Sequence, residues 1–407
     1  MMINKWVSGL ACIFMLGCEL TAENSLSEGP WLAHLVVMDD KLLPFTFTMD
    51  HTDNGFIMKA YNADEVLTID EIYIDGDSIM IRMPVFEGYI SGTFSKNQIN
   101  GKFIKESLGR EVPFHASYGD VPRFSNTRTA NVDISGVWET TFNPKTRESY
   151  AGKGIFTQKH GKVTGTFRTP TGDYRYLEGV VDGDILELST FDGAHAYLFT
   201  AHATDSTLNG TFYSGNHSRE FFTARRNEGF TLPDENSLTF IKEGYGKFQF
   251  SFPDAQGNLI SLSDPEFRNK VVIVQVMGTW CPNCLDETKF LASYLEKEQQ
   301  PGLEVVALAF EYAKTREDAF KGIQRLRDRI RVNYPILLAQ YGSSDKTEAN
   351  KKLPMLNHVM SYPTTIFVDK KGEVRRILTG FNGPATGEKY ESFKREFSDF
   401  INSLLAE

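Results

Sequence analysis

Along residues 30–225, apolar and polar positions alternate in short runs broken by Gly, Asn and Asp. Glu71-Ile72-Tyr73-Ile74 leads into Asp75-Gly76-Asp77 and out through Ser78-Ile79-Met80-Ile81. Gly179-Val180-Val181 leads into Asp182-Gly183-Asp184 and out through Ile185-Leu186-Glu187-Leu188. A period of two puts alternate side chains on one face of a strand, and Asp-Gly between two such runs signals a hairpin. Asn100-Gly101 and Asn209-Gly210, flanked by Phe103 and Phe212, read as further turns. The landmarks also repeat. Trp31 and Trp138 stand 107 apart, as do Asp75 and Asp182, while Asn100 and Asn209, and Glu111 and Glu220, stand 109 apart. The pattern predicts an all-β N-terminal region of two similar antiparallel β units, 30–118 and 132–225, each a meander, sandwich or barrel.

The period changes after a linker at 226–246 that contains Pro233. Phe248–Phe252 and Leu259–Leu262 read as a hairpin, and Val271–Met277 is a continuous apolar run, as expected of a strand buried on both faces. Leu285–Gln299 is helix-like, Leu303–Phe310 is a second buried strand, and Thr315–Ile330 carries Phe320, Ile323 and Leu326 at spacings of three. A short strand at Tyr334–Leu338, a weakly apolar segment at Ser343–Met355 and a hairpin about Asp369–Gly372 follow. Lys389–Leu405 closes the chain as an amphipathic helix with Phe393, Phe397, Phe400 and Leu404 on one stripe. This order predicts an α/β domain with a mixed central sheet over 247–407.

Chemistry concentrates at Trp280-Cys281-Pro282-Asn283-Cys284, between the strand Val271–Met277 and the helix. A helix N-terminus favours negative charge, so it lowers the cost of a thiolate on Cys281, and Pro282 suits a first turn where no N–H is needed. CxxC beside a βαβ pattern reads as thioredoxin-like redox chemistry. The alternatives are a zinc half-site and an inert bridge. Zinc wants about four ligands, and the C-terminal part adds only His358; a bridge closing so small a loop stabilises little. The other cysteines, Cys12 and Cys18, lie in the N-terminal apolar segment.

With these residues in view, 248–406 resembles the thioredoxin fold, and within it the TlpA/ResA-like thiol–disulfide oxidoreductases of bacterial envelopes, related to the AhpC/TSA-type thioredoxin-like domains. The leading hairpin, Gly278-Thr279-Trp280-Cys281 and Tyr362-Pro363-Thr364-Thr365 carry the resemblance. It implies a cis Pro363 packed against a redox-active Cys281–Cys284 pair, with Trp280, Tyr362 and Pro363 as the substrate-binding surface. It also implies catalytic roles for Cys281, Cys284 and Glu287, which completes a Cys-x-x-Cys-x-x-Glu pattern. General thioredoxins carry a buried aspartate six residues before the first cysteine; Gln275 stands there and cannot titrate, which favours Glu287 as proton acceptor. Helix glutamates are usually exposed, so a solvated Glu287 is the competing expectation, and Glu311 is a weaker candidate for a buried acid.

The N-terminus reads as an address. Lys5 precedes the apolar Trp6–Leu16, too short to span a bilayer, and Met15-Leu16-Gly17-Cys18 resembles a lipoprotein signal. The expectation is a signal peptide at 1–17, lipidation of Cys18 and a tether at 18–29; the alternative is a secretory signal cut near Ala22. Either takes the chain out of the cytoplasm into an oxidising compartment, and the lipoprotein reading expects it lipid-anchored in the cell envelope on the periplasmic side, the outer membrane included. Net charge −10 argues against nucleic acid. No cofactor and no metal are expected: the β region holds seven of the eight histidines without a ligand-like spacing, and no Cys-x-x-Cys-His haem motif occurs. The expected partners are client proteins with disulfides or thiols and a membrane dithiol electron donor. Two alternatives stay open. One is a thiol peroxidase of peroxiredoxin type, for which Thr279 stands near Cys281 but the matching Pro is missing. The other is a non-enzymatic lipoprotein whose β units bind a ligand or partner.

Overall fold

The structure, a computed structural model, describes residues 25–343 and 345–407. Cys18, the proposed signal peptide and most of the tether lie outside the described residues. No helix among the described residues is long and apolar enough to cross a membrane.

The N-terminal region is all-β. Its first nine-stranded sheet runs Glu65–Ile69, Gly55–Asn62, Leu42–Thr52, Gly29–Val36, Arg110–Tyr118, Gln98–Lys105, Tyr89–Ser95, Ser78–Arg82, Glu71–Asp75. Every neighbouring pair in it is antiparallel. Its two outer strands are consecutive in the chain, so the sheet curls and leaves a seam at Asp70. The second sheet closes on itself, because Tyr150–Lys159 pairs both with Gly136–Phe142 and with Lys162–Thr169. Alternation fills each interior: Trp31, Phe45 and Phe47 in the first, and Trp138, Phe142, Phe167, Phe199 and Phe222 in the second, are almost wholly buried. The offset landmarks fall on matching places. Trp31 Nε1 donates to the Ser27 carbonyl at 3.0 Å, and Trp138 Nε1 to the Ile134 carbonyl at 2.8 Å, each four residues back.

The Asp-Gly signals turn the chain where expected: Asp75 pairs with Ser78 across Gly76-Asp77, and Asp182 with Ile185 across Gly183-Asp184. The Asn-Gly reading is corrected. Asn100-Gly101 and Asn209-Gly210 lie inside the strands Gln98–Lys105 and Thr207–Ser214. Their glycines answer to close backbone approach; a Cβ on Gly101 would collide with the Ser91 carbonyl of the neighbouring strand.

Arg123, in the connector between the sheets, donates to the carbonyls of Tyr61 and Ser189 and so ties one sheet to the other. Asn62 and Phe191 exchange two further hydrogen bonds between the sheets, at 2.9 and 3.1 Å. The segment at 226–246 is a strap along the C-terminal part. Glu235 pairs with Lys389 at 2.7 Å and its carbonyl accepts from Thr379 N at 3.1 Å.

The C-terminal part follows the expected element order. Its five-stranded sheet runs Ile336–Gln340, Leu303–Phe310, Val271–Met277, Thr364–Val368, Val374–Thr379. Val271–Met277 is parallel to Leu303–Phe310 and antiparallel to Thr364–Val368. All seven residues of Val271–Met277 are buried, which accounts for its unbroken apolar run. Helices Pro282–Glu298, Arg316–Ile330 and Glu388–Ala406 surround the sheet, the last burying Phe397, Ile401 and Leu404. The apolar core of this part is continuous with that of the first sheet, while the second sheet holds its own.

Candidate active site

Cys281 and Cys284 are bridged, with Cα atoms 5.2 Å apart. Cys281 is the N-cap of the helix Pro282–Glu298, and its sulfur accepts a hydrogen bond from Cys284 N at 3.1 Å. This is the position from which orphan N–H groups stabilise a thiolate. Cys284 is fully buried and Cys281 is 6% exposed. Cys281 Sγ lies 3.4 Å from the Tyr362 carbonyl oxygen, and the Tyr362–Pro363 bond is cis. Trp280 donates from its indole to the Phe310 carbonyl at 2.8 Å, stacks on Tyr312 with centroids 4.0 Å apart, and meets Tyr362 edge-on at 5.4 Å. Trp280, Tyr362 and Pro363 thus stand together beside the bridge.

Glu287 is buried and not a solvated helix carboxylate; it is 2% exposed. It accepts from Gln275 Nε2 at 2.8 Å and from Thr365 Oγ1. Burial pushes its carboxyl up to about 7, against those two hydrogen bonds, which pull it down. Gln275 also accepts from Thr288 at 3.2 Å, so the residue at the aspartate position holds Glu287 in place.

Glu311, rated the weaker of the two acids from sequence, is equally buried. It accepts from Thr279 N at 2.9 Å and Thr279 Oγ1 at 2.6 Å, and burial lifts it too to about 7. Its place after an apolar strand was the only signal. The threonine that the peroxidase alternative would use is thereby committed to a carboxylate.

The second sheet reaches this site, which sequence reasoning missed. The turn after Lys162–Thr169 lies against the CxxC loop: Asn283 Nδ2 donates to the Asp173 carbonyl at 3.2 Å, and Ser361 Oγ to the Thr171 carbonyl at 3.0 Å. Gly172 has φ +141 and sits so close to Asn283 that a Cβ would collide with its amide. Arg175, 4% exposed, binds Glu65 of the first sheet, Asp192 of the second and Asp286 of the active-site helix. Burial alone would lower the Arg175 pKa; Glu65, Asp192 and Asp173 outweigh it and raise it. No sequence signal announces a contact between residues more than a hundred positions apart.

The AhpC/TSA family profile matches residues 247–377. The thioredoxin-like protein YneN of Bacillus subtilis is 33% identical over 140 residues, covering 34% of this chain and 73% of its own. The thiol-disulfide oxidoreductase ResA of the same organism is 26% identical over 140 residues, covering 34% of this chain and 69% of its own. A solved structure, a putative thiol:disulfide interchange protein DsbE from Chlorobium tepidum, matches with 17% identity and TM-score 0.30 over 40% of this chain and 99% of that one. Through its C-terminal third and more, the chain belongs to the TlpA/ResA-like thioredoxin-fold oxidoreductases.

Proposed function

We propose that this chain is a thiol–disulfide oxidoreductase that reduces disulfides of exported client proteins through a Cys281/Cys284 dithiol. The observation that carries the reading is the Cys281–Cys284 bridge at a helix N-terminus, with Cys281 capping and Cys284 fully buried. Cys281 as thiolate attacks a client disulfide; one client sulfur leaves as thiolate and a mixed disulfide forms. Cys284 then gives up its proton and attacks Cys281, releasing the second client thiol and closing the bridge. Glu287, one turn beyond Cys284, is the proton acceptor for that second step, with a pKa near the working pH. A membrane dithiol donor reopens the bridge. The apolar N-terminal segment ending at Cys18 supports lipid anchoring in the cell envelope.

The reduction potential of the couple tests the direction of electron flow. The expected value lies near the thioredoxin end, about −270 mV. A value near about −120 mV would make the chain an oxidant instead, and no reversible two-electron couple would remove the reading.

Glu287 yields a pH prediction. Its folded value, about 7, lies above the ordinary 4.5. The folded state therefore holds a proton that the unfolded chain releases above the ordinary value. The stability this contributes is complete below pH 4.5 and is lost as pH rises through 7. Glu287→Gln is expected to raise the urea midpoint relative to wild type at pH 8 more than at pH 5. The same variant is expected to slow resolution of the mixed disulfide by about 10²-fold and to flatten its pH profile near 7. An unchanged profile would leave Glu287 a structural residue.

A further inference from the structure

Beside Trp280 is a cavity of about 150 Å³, roughly five water volumes, walled by both β-sheets and by the C-terminal part. Lys105 and Arg110 enter it from the first sheet, His195 and His217 from the second, and Trp280 and Tyr312 form its aromatic side. In a chain of net charge −10, two cations, Lys105 and Arg110, meet two histidines here with little acid to neutralise them. Lys105 donates to the Ala194 carbonyl at 3.0 Å and has no ion pair among the described residues. Arg110 has neither a side-chain hydrogen bond nor an ion pair among the described residues; the groups that act on it are Tyr312 and Tyr197. His217 is exposed and faces Arg110, Lys105 and His195. His195 alone has a carboxylate, Asp192 at 3.2 Å, and that carboxylate is shared with Arg175. The other nearby acid, Glu87, accepts from Ser107 N. Burial lowers the pKa of Lys105 and Arg110, and burial with its three basic neighbours takes His217 down to about 4, which leaves it neutral near pH 7 and the standing charge on Lys105 and Arg110. Positive charge without a counter-charge in a half-buried site is a receptor for an anion, and a guanidinium fits a carboxylate with two hydrogen bonds.

We propose that this cavity is a subsite for a carboxylate carried next to the disulfide of the substrate, so that the β-sheets select acidic disulfides for the Cys281–Cys284 pair. Trp280 lines the cavity and immediately precedes Cys281 in the chain, so one residue of the active-site loop is shared between the subsite and the redox pair. The inference rests on the redox reading of that pair. In the selected reaction, Cys281 thiolate breaks the S–S bond and expels one acidic thiolate. Cys284 then expels the second, so two electrons and two protons pass from the dithiol to the disulfide.

The test uses the full chain, reduced and freed of reductant. Rates of oxidation are measured with oxidised glutathione (anionic), 2-hydroxyethyl disulfide (neutral) and cystamine (cationic), each normalised to its reaction with free dithiothreitol. Wild type is expected to prefer oxidised glutathione over cystamine by at least about tenfold, the scale of one charge-assisted hydrogen bond. In the Lys105→Met/Arg110→Met variant the ratio is expected to fall to about one. In wild type alone it is expected to shrink toward one in 1 M salt, where charges are screened beyond about 3 Å. A ratio unmoved by both the variant and the salt overturns the inference. If the neutral disulfide too fails to react, the reading of Cys281 and Cys284 has fallen first. A disulfide-linked peptide pair flanked by Glu or by Gln separates the sources: preference for the Glu peptide assigns the subsite to acidic protein clients. Preference confined to oxidised glutathione assigns it to small acidic disulfides.

Discussion

Cys281→Ser is expected to abolish disulfide exchange, lowering the rate by at least about 10³-fold. A serine hydroxyl at this N-cap can accept the same hydrogen bond from Cys284 N, but it is far less acidic than a thiol and is not ionised near neutral pH. The fold should persist, because Cys281 contributes one small side chain and the bridge closes a loop of only three residues' separation. Cys284→Ser is expected to behave differently. Cys281 can still attack, but nothing resolves the product, so a mixed disulfide with client accumulates and shows as a thiol-sensitive band on a non-reducing gel. The pair of outcomes distinguishes attacking from resolving sulfur. Equal residual activity in both variants would mean that neither sulfur is the nucleophile.

Arg175→Met is expected to cost about 3–5 kcal/mol, the scale for breaking a buried charge cluster. Arg175 is the shared partner of Glu65, Asp192 and Asp286, so its removal leaves three carboxylates facing one another with little water. Urea unfolding should show a lowered midpoint and, since three parts of the chain meet at this side chain, a broadened transition. Adding Asp286→Asn to Arg175→Met should recover part of the loss, because the second change removes one stranded charge. Strict additivity of the two changes would show that the ion pair is not coupled. Asp286 lies in the first turn after Cys284, so the double variant also reports on whether this charge cluster reaches the redox chemistry.

Local physics made part of this molecule readable in advance. Val271–Met277, buried throughout, and Asp75-Gly76 and Asp182-Gly183, which turn the chain within four residues, owe their structure to neighbours in sequence. The same holds for Cys281-Pro282-Asn283-Cys284, whose spacing and helix position are one local fact. Asn100-Gly101 misled because a glycine needed for a turn and a glycine needed for close strand approach look alike in a sequence. Arg175 and Glu311 were opaque or underrated for a different reason. Their neighbours come from distant strands, and a charged residue in sequence is exposed until a partner is known. The cavity beside Trp280 was invisible on the same ground, since its walls come from three parts of the chain.

The curl of the first sheet has a consequence for how the chain must be handled. Its outer strands meet at Asp70 and Glu71, and both carboxylates are held by Arg329, with Arg325 on Glu71 as well, all from one helix of the redox part. An expression fragment ending before that helix would leave Asp70 and Glu71 side by side without the guanidinium groups that hold them. A fragment beginning at the redox part would leave Asp286 without Arg175. Truncation from either side therefore strands charges that the other side neutralises, and crystallisation or enzymology calls for the β-sheets and the redox part together.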